Sequence, residues 1–195
     1  MAKLTLLLGG VRSGKSCFAQ ELASLQEGLV VYIATAQALD SEMERRVAQH
    51  RRERPEHWKT LELPYGVARG YRESGLDAAV VLLDCLTLLV SNVILATCPP
   101  ESIDPERAMA AVDCELDALL EVIRGSSAHW IVISNEVGMG VVPPYPLGRL
   151  YRDILGVVNQ RVAAVADEVF LMVAGIPLPL HFYRRHSAGG VGKAS

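Results

Sequence analysis

The sequence predicts an α/β protein with an open, mostly parallel sheet and helices on both faces. Short, uninterrupted apolar runs alternate along the chain with longer segments in which apolar residues recur every three or four positions. Strands that are buried on both faces have the first pattern, and amphipathic helices have the second. A glycine-rich turn joins the first apolar run to the first helical segment. Such folds bind ligands at the carboxyl ends of their strands.

Length and composition indicate a single domain. The 195 residues can bury one sizeable core, and no shift in composition marks a second one. We therefore expect one domain over residues 1–183. Residues 184–195 contain three glycines and no apolar periodicity, so they are expected to form a flexible tail.

The charge and cysteine content narrow the choice of partners and location. The net charge of −3 gives no argument for affinity to nucleic acid or to an anionic membrane, and neither partner is expected. The four cysteines form no C-x-x-C pair, which favours reduced thiols in a cytoplasmic protein. Because the first strand begins almost at residue 1 and the uncharged runs are shorter than the ~18 apolar residues of a membrane helix, we expect neither a signal peptide nor a membrane span.

A phosphate-binding loop follows the first strand, which is predicted over residues 4–8. Residues 9–16 match the pattern G-x-x-x-x-G-K-[ST] at every fixed position, and an amphipathic helix follows. Amides at the start of that helix favour a polyphosphate, Lys15 can reach its outer phosphates, and Ser16 offers a hydroxyl to Mg²⁺. The predicted class is therefore a P-loop NTPase-type fold, RecA-like. The predicted nucleotide-binding loop consists of Gly9, Gly10, Val11, Arg12, Ser13, Gly14, Lys15 and Ser16.

The next segment carries a histidine among arginines. A second buried strand is predicted over residues 28–34, and a capping-box pattern at 41–44 opens a helix that runs to about residue 54. His50 lies at the end of the apolar stripe of this helix. One interpretation is a solvated helix face with a chance histidine. The other is a ligand-side segment in which the arginines bind a triphosphate and a neutral imidazole attacks phosphorus.

A carboxylate is predicted at the end of the third buried strand. Residues 57–64 read as a short edge strand or an extended loop, and residues 64–75 as linking chain with glycines. The apolar run 78–83 is the next buried strand, and Asp84 stands at its carboxyl end. In a P-loop protein that position suits a second Mg²⁺-directed group. The alternative is that Asp84 caps the helix predicted over residues 85–95.

The remaining chain supplies two further buried strands and a second carboxylate. A packing helix is predicted over 105–124 and a strand over 129–134, after which Glu136 is a candidate base or polar contact, or a loop carboxylate with no role. The apolar loop 137–146 either packs against a partner subunit or covers an apolar ligand. A helix over 147–166, a strand over 168–173 and an edge strand over 176–182 complete the prediction.

Several of these stretches together resemble one family, the bifunctional adenosylcobinamide kinase / adenosylcobinamide-phosphate guanylyltransferases of cobalamin synthesis. The resemblance extends from about Leu4 to Gly175. It rests on the P-loop, YIATA at 32–36, His50, LDCLT at 83–87 and, above all, NEVGMGVVP at 135–143 with Arg152-Asp153 and Asn159-Gln160-Arg161 after it.

This resemblance implies two reactions and a homotrimer. The corrinoid would be phosphorylated by ATP or GTP, and GMP would then pass from GTP to the corrinoid phosphate through a GMP-histidine on His50, giving adenosylcobinamide-GDP and pyrophosphate. Lys15, Asp84 and Glu136 would complete the catalytic set, and Ser16 and Asp84 would hold Mg²⁺. The guanine nucleotide would be surrounded by Ala34, Thr35, Ala36, Arg51, Arg52, Glu53, Arg54, Glu62 and Asp84.

Two other functions stay open at this point. In a monofunctional P-loop small-molecule kinase, His50 would be inert. A GTPase-type switch has less support, because the chain contains no [NT]-K-x-D motif to specify guanine.

Overall fold

The computed structural model describes residues 3–37, 51, 54–99 and 102–183. The strands are β1 (Lys3–Gly9), β2 (Val30–Ala34), β3 (Lys59–Glu62), β4 (Val80–Asp84), β5 (His129–Ile133), β6 (Glu168–Val173) and β7 (Ile176–Pro179). The helices are α1 (Lys15–Ser24), α2 (Val67–Ser74), α3 (Leu86–Thr97), α4 (Pro105–Gly125) and α5 (Pro146–Val165), followed by a short 3-10 helix (His181–Tyr183).

The strands form one sheet in the order β3-β2-β4-β5-β1-β6-β7. Every neighbouring pair is parallel except β6 and β7, which are antiparallel. The strand that leads into the P-loop is separated by β5 from the strand that ends in Asp84, an arrangement that RecA-like P-loop folds share. The predicted fold class is confirmed.

The hydrophobic core lies on both faces of this sheet. Because alternate strand residues point to opposite faces, Val81 and Leu83 of β4 pack with the helices α2 to α5, whereas Val80 and Leu82 pack on the side of α1. Trp130 of β5 is fully buried in the larger layer, edge-on to Tyr71 of α2. Burial on both faces explains why the strands read as continuous apolar runs.

The prediction of linking chain over residues 64–75 is wrong, because α2 occupies most of that segment. The helix is bounded by Gly66 and Gly75, whose φ angles of +65° and +62° are the left-handed conformation that glycine adopts without strain. Glu115 of α4 accepts hydrogen bonds from the amides of Gly66 and Val67 at 3.0 and 2.9 Å. This cap comes from about fifty residues further along the chain, so no local pattern announces it.

The other predicted strands and helices within the described residues are confirmed, with ends that shift by a few positions. Residues 57–64 contain the short edge strand β3, and the edge strand predicted after β6 is β7. Most of the helix predicted over residues 41–54 and the expected tail 184–195 lie outside the described residues. No helix within the described ranges has the length and hydropathy needed to cross a membrane.

Candidate nucleotide site

The strand register aligns several predicted site residues in one row at the carboxyl edge of the sheet. Glu62 of β3 is paired with Ala34 of β2, and Ala34 is paired in turn with Asp84 of β4. On its other side Asp84 is paired with Ile133 of β5, which is itself paired with Leu7 of β1 just before the P-loop. Positions far apart in the sequence therefore meet at the edge where α/β proteins bind ligands.

The P-loop turns from β1 into α1 through a glycine with a left-handed backbone. Gly14 is the N-cap of α1 with φ +96°, and a Cβ added there would lie 3.0 Å from the Cα of Gly175. Both the backbone angle and the close neighbour require glycine. The first amides of α1 thus lie at the base of the loop, where a helix N-terminus favours anionic phosphate.

Lys15 lies folded back over this loop. Its Nζ donates hydrogen bonds to the carbonyl oxygens of Gly9 and Gly10 at 3.0 and 2.7 Å. The side chain is largely buried, and burial lowers the pKa of Lys15, although the negative charge of the nearby Asp84 opposes that shift. A cation held by carbonyls at the loop can transfer its hydrogen bonds to phosphate oxygens with little rearrangement.

Asp84 is hydrogen-bonded to a tyrosine, Tyr32, whose ring lies against an arginine, Arg54. The hydroxyl of Tyr32 donates a hydrogen bond to Oδ2 of Asp84 at 2.5 Å, and the guanidinium carbon of Arg54 lies 3.6 Å from the centre of the Tyr32 ring. Burial, together with the Asp84 charge, raises the pKa of Tyr32 well above its ordinary value, so the phenol stays a donor. Asp84 does not cap the following helix, since Cys85 is the N-cap of α3.

These groups line one cleft of about 300 Å³. The predicted residues on its wall are Val11, Arg12, Lys15, Ser16, Ala34, Ala36, Arg54 and Asp84. Tyr32, Leu88 and Asn135 line it as well and are absent from the predicted site. A signal for Tyr32 existed, because the period of two along a strand places it on the same face as Ala34. The cleft also contains Cys85, but burial raises the pKa of its thiol to about 12, which leaves it protonated.

The structure places Thr35 behind the cleft wall, where it holds two strand ends together. Its hydroxyl donates to the carbonyl of Cys85 at 2.7 Å and accepts from the amide of Cys85 at 2.8 Å. The backbone carbonyl of Thr35 accepts from the side-chain amide of Asn92 at 2.8 Å, and the same amide donates to the carbonyl of Pro64 at 2.9 Å. Thr35 is fully buried and fixes the position of Asp84 relative to β2.

At the β3 side, Arg51 and Glu62 form an exposed ion pair with an N–O distance of 2.5 Å. Three further predicted residues of this region, His50, Arg52 and Glu53, lie outside the described residues. Exposed ion pairs contribute little to stability, so both members of this pair can exchange their bond for one to a ligand.

Glu136 directly follows Asn135, a residue of the cleft lining, in the segment after β5. Its amide donates to the carbonyl of Gly9 at 3.1 Å, and its carboxylate accepts from the amide of Gly138 at 2.6 Å. The strand end before it is held by a buried network: Ser134 donates to Asn159 at 2.7 Å, and Asn159 donates to the Asn135 carbonyl at 3.1 Å. The neighbour Asn135, rather than Glu136, lines the cleft.

The oxygens present fit Mg²⁺ bound together with a nucleotide. Ser16 and Asp84 both line the cleft. Mg²⁺ is usually held by one or two protein oxygens, with water and substrate phosphates completing its octahedron. Within the described ranges no cluster of three or more His, Cys, Asp or Glu side chains could hold a metal alone. This donor set agrees with an ion that arrives with its nucleotide.

The chain is similar to one family model and to several known proteins. The family model described as "Cobinamide kinase / cobinamide phosphate guanyltransferase" matches residues 5–180. The chain is 46% identical over 176 residues to the "Bifunctional adenosylcobalamin biosynthesis protein CobP" of Pseudomonas aeruginosa, covering 90% of this chain and 95% of that protein. It is 40% identical over 176 residues to the "Bifunctional adenosylcobalamin biosynthesis protein CobU" of Escherichia coli, covering 89% and 97% respectively. Among solved structures, that of the RadB recombinase aligns with a TM-score of 0.46 at 19% identity, over 87% of this chain and 73% of that one.

Proposed function

The chain belongs to the cobinamide kinase / cobinamide phosphate guanyltransferase family, and from this premise we propose that the P-loop cleft performs both reactions in turn. The protein is an enzyme of cobalamin biosynthesis. The observation that carries the proposal is the convergence of Lys15, Asp84 and Arg54 on a single cleft. One such cleft can hold the triphosphate of either donor nucleotide, ATP or GTP.

In the kinase reaction, the hydroxyl of cobinamide attacks the γ-phosphorus of the nucleotide. The new O–P bond forms as the bond between the γ-phosphorus and the β-phosphate oxygen breaks, and a nucleoside diphosphate leaves. Lys15 and the amides of the P-loop stabilise the charge that develops on the phosphate oxygens. We assign the hydroxyl proton to the carboxylate of Glu136, because Asp84 is committed to the nucleotide and its metal.

In the transfer reaction, the imidazole of His50 attacks the α-phosphorus of GTP, and pyrophosphate leaves. The phosphate oxygen of cobinamide phosphate then attacks the same phosphorus, so the P–N bond breaks and the imidazole is regenerated. Arg51, Arg52 and Arg54 supply positive charge to the phosphates, with Arg54 already oriented by the Tyr32 ring. The guanine is placed near Ala34, Thr35, Ala36, Glu53 and Glu62.

The proposal includes Mg²⁺, which would bind together with the nucleotide. When bound, it neutralises phosphate charge and polarises the phosphorus–oxygen bonds. Ser16 would hold it through its hydroxyl and Asp84 through its carboxylate, with the Tyr32 hydroxyl keeping Asp84 in place.

A homotrimer in the cytoplasm completes the proposal. The free thiols of Cys17, Cys85, Cys98 and Cys114 are consistent with a reducing compartment. A loop rich in exposed apolar side chains, including Met139 and Val141, supports self-association.

The experiment that tests the two-reaction mechanism uses GTP labelled at the α-phosphate. The protein is mixed with Mg²⁺ and this GTP, denatured, and examined for label that is labile to acid and stable to base. We expect such label on the unmodified protein and none on His50→Ala. His57→Ala is the matched control, because His57 is exposed and close by in the sequence, and it should keep the label.

Two results would count against this mechanism. Label that survives His50→Ala would move the nucleophile to another residue. Absence of label on every protein, with GTP binding intact, would leave a kinase without a covalent guanylyl intermediate.

A further inference from the structure

A second cavity of about 410 Å³ lies beside the nucleotide cleft. We call it the outer pocket, and it is formed by three parts of the chain. Helix α3 contributes Ser91 and Leu95, the segment after β5 contributes Val137 and Tyr145, and the first turns of α5 contribute Tyr151 and Arg152. The site described above uses none of these side chains.

The outer pocket and the nucleotide cleft are adjacent, because both are lined by residues of α3 and of the segment after β5. On α3, Leu88 lines the cleft and Ser91 lines the outer pocket. Three residues of helix correspond to a rise of about 4.5 Å and less than one full turn, so both face the same side. After β5, Asn135 lines the cleft and Val137 lines the outer pocket, which leaves Glu136 between the two cavities.

The lining of the outer pocket suits a large apolar ligand with oxygen atoms on its edge. Most of its wall is aliphatic or aromatic, and Arg152 is its one charged side chain among the described residues. The ring of Tyr151 is fixed by a hydrogen bond from its hydroxyl to the carbonyl of Thr87 at 3.4 Å. The lining contains no carboxylate that could pair with a cationic ligand, whereas Arg152 can donate hydrogen bonds to carbonyl or phosphate oxygens.

Arg152 is available for such a ligand. Its side chain is 22% exposed, and its Nε forms an ion pair with Oδ1 of its sequence neighbour Asp153 at 3.9 Å. The Asp153 carboxylate is itself 72% exposed, so water competes strongly for that contact. A guanidinium held at the rim of an apolar cavity binds oxygen acceptors with defined geometry.

We propose that the outer pocket binds the corrinoid acceptor of both reactions, which deepens and rests on the proposed function. An apolar part of the macrocycle lies against Val137, Tyr145 and Tyr151, and Arg152 donates hydrogen bonds to oxygens at its edge. The hydroxyl-bearing arm then extends past Glu136 into the nucleotide cleft. A cavity of this size encloses part of a corrinoid and leaves the rest in solvent.

The test compares acceptor binding with nucleotide binding in variants of the outer pocket. Ser91→Phe fills the cavity, and Arg152→Gln removes its cation while keeping a polar side chain. The matched controls are Ser24→Phe at the exposed end of α1 and Arg124→Gln at the exposed end of α4. For each protein, thermal unfolding confirms folding, and three quantities are measured: the KM for cobinamide in the kinase reaction, the Kd for GTP, and the yield of GMP-labelled protein without any corrinoid.

We expect both pocket variants to raise the KM for cobinamide by about tenfold or more, the loss that a missing hydrogen bond or a filled subsite produces. The Kd for GTP and the yield of labelled protein should stay within about twofold of the unmodified protein, because neither needs the acceptor. The two controls should change none of the three quantities.

The proposal is overturned if both pocket variants keep the KM for cobinamide of the unmodified protein. If the variants in that case also alter sedimentation, a second copy of the chain covers the cavity. Failure of the proposed guanylylation has a different signature, namely no label even on the unmodified protein, and the kinase KM still decides where the acceptor binds.

Discussion

The buried side-chain amide of Asn92 joins the two ends of residues 35–64, a segment that we call the excursion. Its two N–H groups are bonded to the carbonyls of Thr35 and Pro64. In Asn92→Leu both carbonyls lose their donor inside the protein, and each such loss costs about 1–3 kcal/mol. We therefore predict a fall of about 3 kcal/mol in the free energy of unfolding, measured by urea denaturation.

The control for this prediction is Thr97→Val on the same helix. The Thr97 hydroxyl donates to the carbonyl of Val93 one turn back, so its removal leaves the helical backbone otherwise bonded. A loss for Asn92→Leu no larger than that of Thr97→Val would show that the amide does not join these segments. Because His50 belongs to the excursion, the yield of GMP-labelled protein should also fall further than the kinase rate.

Residues of the candidate site differ in how visible they are in the sequence. The P-loop was predictable because its chemistry is encoded in eight consecutive residues. Asp84 was predictable because it ends an apolar run. Asn92 was missed because a lone polar residue in an apolar helix indicates burial without identifying its partners, which are Thr35 and Pro64. Tyr32 was missed although it shares a strand face with Ala34, because its bond to Asp84 depends on the pairing of two strands.

At the scale of an element, α2 depends on a cap supplied by another helix. Both carboxylate oxygens of Glu115 accept amides at the N-terminus of α2. Substitution Glu115→Ala removes these acceptors from a partly buried helix end, and we predict a loss of about 1–2 kcal/mol of unfolding free energy. Glu121→Ala on the same helix, which removes a side chain that is 72% exposed, should cost less than about 0.5 kcal/mol. Equal effects in denaturant titrations would contradict the capping role.

The amino-terminal edge of the sheet carries a pH-dependent cluster. Nε2 of His129 on β5 lies 2.8 Å from the Thr5 hydroxyl, which donates to Glu168 at 3.0 Å. Burial, followed by the charge of Lys3, lowers the pKa of His129 below its ordinary value of 6.5, although Glu168 and Asp167 oppose the shift. Below pH 6.5 the unfolded chain therefore binds a proton before the folded one does, and stability falls as the pH falls.

We predict that His129→Gln weakens this dependence in urea unfolding measured between pH 7 and pH 5. Glutamine keeps an N–H donor for Thr5 and does not titrate. His57→Gln, at an exposed position, should keep the slope of the unmodified protein. An unchanged slope in His129→Gln would mean that other groups cause the acid sensitivity.

Elements with strong local patterns were predictable, and those that rely on tertiary contacts were not. The strands β1, β4, β5 and β6 are short and mostly apolar, with a pattern that no helix period fits. Helix α2 is short and carries glycine at both ends, so its sequence resembles a loop until Glu115 and the burial of Val67 are known. Short elements form when packing compensates for weak intrinsic propensity.

For the whole molecule, the fold class followed from the sequence, whereas the order of the strands did not. Alternation of strands and helices implies a mostly parallel sheet with right-handed crossovers. It does not say that β5, added fifth along the chain, lies between β1 and β4. That placement sets the lateral distance between Lys15 and Asp84, and with it the width of the cleft. It depends on the pairing of β1 with β5, whose paired residues are more than a hundred positions apart in the sequence, and on the pairing of β4 with β5.

The loop after β5 connects the site to the proposed trimer, because its apolar side chains divide between two directions. Val137 and Tyr145 line the outer pocket, whereas Met139 and Val141 lie outside that lining and are 82% and 96% exposed. Covering side chains that are exposed to that degree with a partner subunit stabilises the assembly.

We predict that the double substitution Met139→Ser with Val141→Ser shifts the protein from trimer toward monomer in sedimentation velocity, while thermal unfolding still shows a folded chain. Val173→Ser, an apolar residue 50% exposed on β6, is the control and should leave the assembly unchanged. A monomeric unmodified protein would refute the trimer itself. A trimer that survives the double substitution would place the interface elsewhere and leave these side chains to cover the bound corrinoid.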